Sequence, residues 1–146
     1  MFEATYKGWD GVERHSAFDN NYIFNALAGY EWTFDRRHVL ALDVKGVWAG
    51  GARYVPIDAE LSKIDNQAVY EWDKAFQQRY NDYFRLNARL TYRRSGRGLN
   101  QEWALDLQNL TNHQNVFMKT WNSYKQEVTT NYQMEFMPMV TYRIHF

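Results

Sequence analysis

Few of the residue types that perform chemistry stand at spacings that would let them do so. His15, His38, His113 and His145 are scattered and are not set in a metal-binding motif with Asp or Glu, so no metal centre is expected. Ser16, Ser62, Ser95 and Ser123 fall in segments that read as loops or turns, without the setting of a nucleophile elbow. Glu60, Asp65, Glu71 and Asp73 invite comparison with the paired carboxylates of glycoside hydrolysis, but a solvated loop surface accounts for them more simply. Gly50-Gly51 lacks the length of a phosphate loop and the Lys-Ser or Lys-Thr that follows one. Asn109-Leu110-Thr111 matches a glycosylation sequon of the kind that arises by chance. Cysteine is absent, which removes disulfides, thiolate metal sites and a thiol nucleophile together. The expectation is a protein that is not an enzyme and carries no cofactor.

Residues suited to holding a ligand are more numerous. Arg53, Tyr54, Tyr70 and Trp72 lie in one long stretch, and Trp121 and Tyr124 in another. Such rings and guanidinium groups either contact a captured small molecule, a sugar or a siderophore for example, or pack loop against loop. A second group is charged and periodic: Asp43 and Lys45, then Arg85, Arg89 and Arg93, then Glu102 and Asp106. Each alternates with apolar neighbours, so each occupies one face of a strand.

Five segments carry that two-residue period. In 22–34 the apolar face is Tyr22, Phe24, Ala26, Ala28, Tyr30, Trp32 and Phe34, and in 38–48 it is Leu40, Leu42, Val44, Gly46 and Trp48. In the third, Phe84, Leu86, Ala88, Leu90 and Tyr92 oppose Arg85, Asn87, Arg89, Thr91 and Arg93. Trp103, Leu105 and Leu107 follow, and the alternation slips at Asn109, where a bulge is expected. The last segment sets Val140, Tyr142, Ile144 and Phe146 against Thr141, Arg143 and His145. A sixth, shorter strand is expected at 2–8. The main runs exceed the usual length of about 5 or 6 residues and approach the roughly 9 to 11 of a membrane-spanning strand. Short turns at 34–37 and 95–99 alternate with long connections at 9–21, 49–82 and 112–135. Outer-membrane barrels show this asymmetry, with short periplasmic turns and long extracellular loops.

The 146 residues sum to zero formal charge, with Lys and Arg scattered, which argues against nucleic acid as a partner. Aromatics make up 18% of the chain, a supply of amphipathic rings that suits membrane girdles, sugar-binding surfaces or soluble β cores. No apolar run reaches the roughly 18 residues of a membrane helix, and no secretory signal is visible at the N-terminus. A membrane barrel of this sequence is therefore expected to lack its beginning. Two arrangements fit the alternation. In one, the apolar face meets lipid and the charges line a polar lumen, paired across strands. In the other, a small soluble or periplasmic ligand-binding β-barrel turns the apolar face inward. An Arg or Lys facing lipid near the midplane would cost roughly 2–4 kcal/mol, so the facing is not interchangeable. About six strands are too few to close a membrane barrel, which needs about eight.

The ordered series Tyr6-Lys7-Gly8-Trp9-Asp10-Gly11-Val12, Ala17-Phe18-Asp19-Asn20-Asn21-Tyr22, 48–58, Asp82-Tyr83-Phe84-Arg85-Leu86, 105–112 and Tyr142-Arg143-Ile144-His145-Phe146 resembles the C-terminal end of TonB-dependent outer-membrane receptors. That resemblance implies an all-β, antiparallel up-and-down meander over residues 1–146, a partial transmembrane barrel without its plug and remaining strands. It implies a Gram-negative outer-membrane location and a part in energised uptake of a scarce nutrient, the nutrient being undefined. It further implies that Tyr142, Ile144 and Phe146 form the signal read by the barrel assembly machinery. The partners implied are outer-membrane lipid, the rest of the barrel and plug, and the TonB complex acting through the missing N-terminal part.

Overall fold

Alternation sustained over nine or more residues builds strands, and turns with side-chain caps join them. The computed structural model describes residues 3–146. In chain order the elements are β1 (Thr5–Lys7), β2 (Glu13–His15), β3 (Ile23–Thr33), β4 (His38–Ala49), β5 (Arg53–Tyr54), α1 (Ala59–Asp65), a 3-10 turn (Trp72–Lys74), β6 (Gln78–Arg79), β7 (Tyr83–Ser95), β8 (Asn100–Gln108), β9 (Val116–Asn122), β10 (Glu127–Tyr132) and β11 (Met137–His145). The protein is thus mostly antiparallel β-sheet with one short α-helix.

Contacts divide the chain into two units. The first comprises Phe24–Val47, Phe84–His113 and Met134–Phe146. It holds most of the five-stranded sheet, in the order β3-β4-β7-β8-β11, so each long strand pairs with the next long strand in the chain. At the β3–β4 turn Asp35 Oδ1 accepts from the backbone N–H groups of Arg37 (2.7 Å) and His38 (2.8 Å). Those backbone donors hold the Asp35 carboxyl below its usual range. At the β7–β8 turn Gly98 has φ +77°, a conformation glycine adopts at no steric cost. The registers are antiparallel: Ala88 faces Leu107, Leu90 faces Leu105 and Tyr92 faces Trp103, while Val140 faces Leu105 and Tyr142 faces Trp103. The sheet is open, with β3 and β11 at its edges, and no closed barrel forms among the described residues.

The second unit comprises the segment ending at Ile23 together with Trp48–Tyr83 and Gln114–Gln133. Its structure corrects two expectations. The short strand expected at 2–8, of which Phe2 lies outside the described residues, pairs not with the main sheet but with β2, Tyr6 opposite Arg14. The cause is local. Gly11 takes φ +72°, and Asp10 accepts from Val12 N at 3.1 Å and from Arg14 at 2.7 Å, closing a hairpin. Arg14 holds the Asp10 carboxyl down at about 2. The long connections, expected as loops, also contain regular elements, β5, α1, β6, β9 and β10. Asp58 caps α1 by accepting from Glu60 N and Leu61 N, both at 3.0 Å, and Asn66 ends the helix in the left-handed region. Asn122 caps the turn of the β9–β10 hairpin in the same way, at Tyr124 N and Lys125 N.

A third correction concerns Asn109. The expected bulge is absent, because β8 ends at Gln108 and Asn109 turns the chain at φ +49°. Asn109 is 1% exposed. Its side-chain amide donates to the His113 and Met134 carbonyls and its Oδ1 accepts from His113 N, so the sequon asparagine has no free amide to glycosylate. Among the described residues the buried apolar side chains are small: Ala49, Ala75 and Ala104, with Pro56.

Candidate functional site

The charged face of the first unit is assembled by register. Arg89 stands opposite Asp106 and Arg93 opposite Glu102, and Arg143 stands opposite Glu102 from the other side. Arg89 Nη1 lies 3.2 Å from Asp106 Oδ1 and its Nη2 3.9 Å from Glu102 Oε1. Arg143 Nη1 lies 3.2 Å from the same Glu102 oxygen, and Arg93 pairs with Glu31. Carboxylates of β3 and β8 thus alternate with guanidinium groups of β7 and β11. These pairs are part-exposed, so each contributes at most about 1 kcal/mol; together they fix which face is polar. A cavity of about 470 Å³ opens on them, lined by Glu31, Asp43, Arg89, Arg93, Glu102 and Arg143. A second, of about 210 Å³, is lined by Asp43, Lys45, Arg85, Asn87, Asp106 and Gln108, among others. All seven charged residues expected to share one face, Asp43, Lys45, Arg85, Arg89, Arg93, Glu102 and Asp106, line one or both cavities.

The opposite face is apolar and largely uncovered. Val140 is 79% exposed and Phe34 68%. Near the β7–β8 turn four rings from four strands stand in a row. His38 stacks on Tyr92 with centroids 6.0 Å apart, Tyr92 on Trp103 at 5.5 Å, and Trp103 on Tyr142 at 5.2 Å. His38 Nδ1 lies 2.6 Å from Tyr92 Oη. Tyr142, one of the three expected assembly residues, is therefore part of this row. Ile144 stands opposite Gln101, and Phe146 lies beyond the end of β11, fully exposed. The alternation placed Tyr92, Trp103 and Tyr142 on apolar faces, but their alignment needs the register, which no single strand displays. His38 gave no signal of its own.

The second unit contains the six residues expected to touch a ligand. Arg53 and Arg79 face one another across the β5–β6 ladder, an arrangement that like charges disfavour. Asp19 resolves it. Its buried carboxylate accepts from Arg53 Nε at 2.8 Å and meets Arg79 Nη2 at 2.9 Å, with His15 Nδ1 at 3.0 Å. Burial pushes the Asp19 carboxyl up, but Arg79 and Arg53 outweigh it and leave the group below its usual range. Tyr54 stacks flat on Tyr80 at 4.3 Å, donates to Gln78 Oε1 and accepts from Lys119 Nζ at 3.2 Å. Burial raises the Tyr80 phenol above its usual range. Tyr70 and Trp72 contact each other at 5.9 Å, with Trp72 67% exposed. Trp121 is half-buried and its Nε1 finds no protein acceptor among the described residues, whereas Tyr124 projects into solvent. Sequence reasoning missed Asp19, whose only signal was an acidic residue in a stretch otherwise read as loop. Compared with protein-family models, with curated proteins and with solved structures, the chain matches none.

Proposed function

We propose that this chain is the C-terminal segment of an outer-membrane receptor barrel of the TonB-dependent kind, serving nutrient uptake rather than catalysis. The observation that carries the reading is the two-faced main sheet. One face is apolar and uncovered, with a row of stacked rings at the level of the β7–β8 turn. The other is charged and internally paired. A bilayer supplies what the first face lacks, since lipid covers apolar side chains and amphipathic rings settle at the headgroup level. The strands of 11, 12, 13, 9 and 9 residues are long enough to cross. A small soluble barrel would gather Leu90, Tyr142 and Ile144 into a shared core, yet each is more than two-fifths exposed. In this reading Asp43, Lys45, Arg85, Arg89, Arg93, Glu102 and Asp106 face a lumen. Trp72 and Tyr124 on the outward connections are the exposed rings nearest in character to ligand contacts, and Tyr142, Ile144 and Phe146 serve assembly.

The absence of native cysteine makes the test clean. Single cysteines at 86, 87, 88, 89, 90 and 91 carry nitroxide labels in the chain reconstituted into lipid vesicles. Collision with lipid-soluble oxygen should peak at 86, 88 and 90, and collision with a water-soluble nickel complex at 87, 89 and 91. Labels that show no two-residue period, or a chain that stays out of the vesicles, would sink the proposal.

A further inference from the structure

On the charged face Arg89, Arg93 and Arg143 each meet a carboxylate. Arg85 does not. Its Nε donates to Asn87 Oδ1 at 2.9 Å and its Nη2 to Gln108 Oε1 at 2.5 Å, both neutral amides that position the guanidinium without cancelling its charge. Of its five N–H donors, two on Nη1 and one on Nη2 have no partner among the described residues. Lys45 lines the same 210 Å³ cavity and has no acidic partner among the described residues. The cavity also holds Asp43 and the Arg89–Asp106 pair, so three cations stand there against two carboxylates.

We propose that Lys45 and Arg85 form a subsite for a small soluble oxyanion, a carboxylate or phosphate group. A guanidinium with a free edge offers two parallel N–H bonds to such a group, and a nearby ammonium adds a mobile point charge. The volume admits one such group with a few attached atoms. Asn87 and Gln108 preorganise the site, because they hold Arg85 through its other donors and contribute no competing charge. The site does not depend on what covers the opposite face of the sheet.

The test uses the full chain folded in detergent micelles and titrated calorimetrically with inorganic phosphate and with citrate. At least one should bind. Arg85→Gln and Lys45→Gln should each weaken that binding about tenfold or more, with Arg85→Lys falling between. Arg143→Gln, which removes a guanidinium already paired with Glu102, should change it less than about twofold. Raising NaCl from about 50 to 500 mM should weaken the wild-type interaction as charge screening predicts. Circular dichroism monitors folding of each variant. Should a variant misfold, a phosphate-dependent shift of the Arg85 Nε–H resonance in the wild-type protein decides the matter. No binding of either anion would overturn the proposal. So would binding indifferent to Arg85→Gln and Lys45→Gln, an adventitious ion only, or binding of an acidic peptide but of neither small anion.

Discussion

Asp19 illustrates how much one side chain in a connecting segment can hold. Two arginines that oppose one another on neighbouring strands point at it, and Arg53 also donates to the Phe76 carbonyl at 2.9 Å. Asp19→Asn would leave two guanidinium groups without their counter-charge. Removing one partner of a buried ion pair costs roughly 3–5 kcal/mol, and the partial exposure of Arg79 and His15 reduces that here to about 2–3 kcal/mol. Urea unfolding of the variant measures it. The pH dependence has a definite sign. Folding lowers the Asp19 pKa, so its stabilisation is complete above the unfolded value near 4 and is lost as pH falls through the lower folded value. An acid titration of stability should therefore lose a component below about pH 4 that Asp19→Asn abolishes.

Among the elements, the long strands were legible in the sequence and the small ones were not. The expected 22–34 and 38–48 correspond to Ile23–Thr33 and His38–Ala49, because a period of two sustained over ten residues leaves no competing pattern. The two-residue ladders β5 and β6 and the seven-residue α1 are too short to show any period. The helix is set by its local caps Asp58 and Asn66, and the β5–β6 ladder by Asp19, whose partners Arg53 and Arg79 lie far along the chain. The charged face was legible as a set of residues, but its pairing of Arg93 with Glu31 depends on register. Gly50 and Gly51, which follow β4, are tightly packed, a feature their residue type does not show: a Cβ on Gly51 would run into the Tyr80 carbonyl. Gly51→Ala should destabilise the fold by about 1–3 kcal/mol, since the obstacle is backbone and cannot rotate away. On β7, Leu90→Arg should cost roughly 2–4 kcal/mol in lipid vesicles if Leu90 lies near the midplane, and little in a water-exposed sheet. The folding equilibrium in vesicles distinguishes the two.

For the molecule as a whole, the decisive quantity is what lies inside. A water-soluble chain near 150 residues buries about two-thirds of its unfolded surface and ordinarily fills its core with Leu, Ile, Val and Phe. Here, among the described residues, the buried apolar residues are three alanines and Pro56, and Phe24, Phe34, Val140 and Phe146 stand exposed. Stripped of lipid or detergent, the chain should associate through its apolar face and not sediment as a monomer. With detergent above its critical micelle concentration the same chain should run as a single protein–detergent species. Monomeric behaviour in plain buffer, measured by analytical ultracentrifugation, would contradict the expectation.

The count of long strands has a consequence of its own. Neighbours in the main sheet run in opposite directions: Ser95 N donates to Arg37 O between β7 and β4, and the other joins are tight turns or antiparallel ladders. Five alternating strands therefore leave β3 and β11 pointing the same way. Two copies inserted in a common orientation would bring together edges that run parallel, the wrong polarity for extending an antiparallel ladder. Open sheets ordinarily risk endless edge-to-edge growth. In a membrane that imposes one orientation, an odd number of strands denies identical copies an antiparallel edge-to-edge join, so an antiparallel extension at either edge needs a strand of opposite direction.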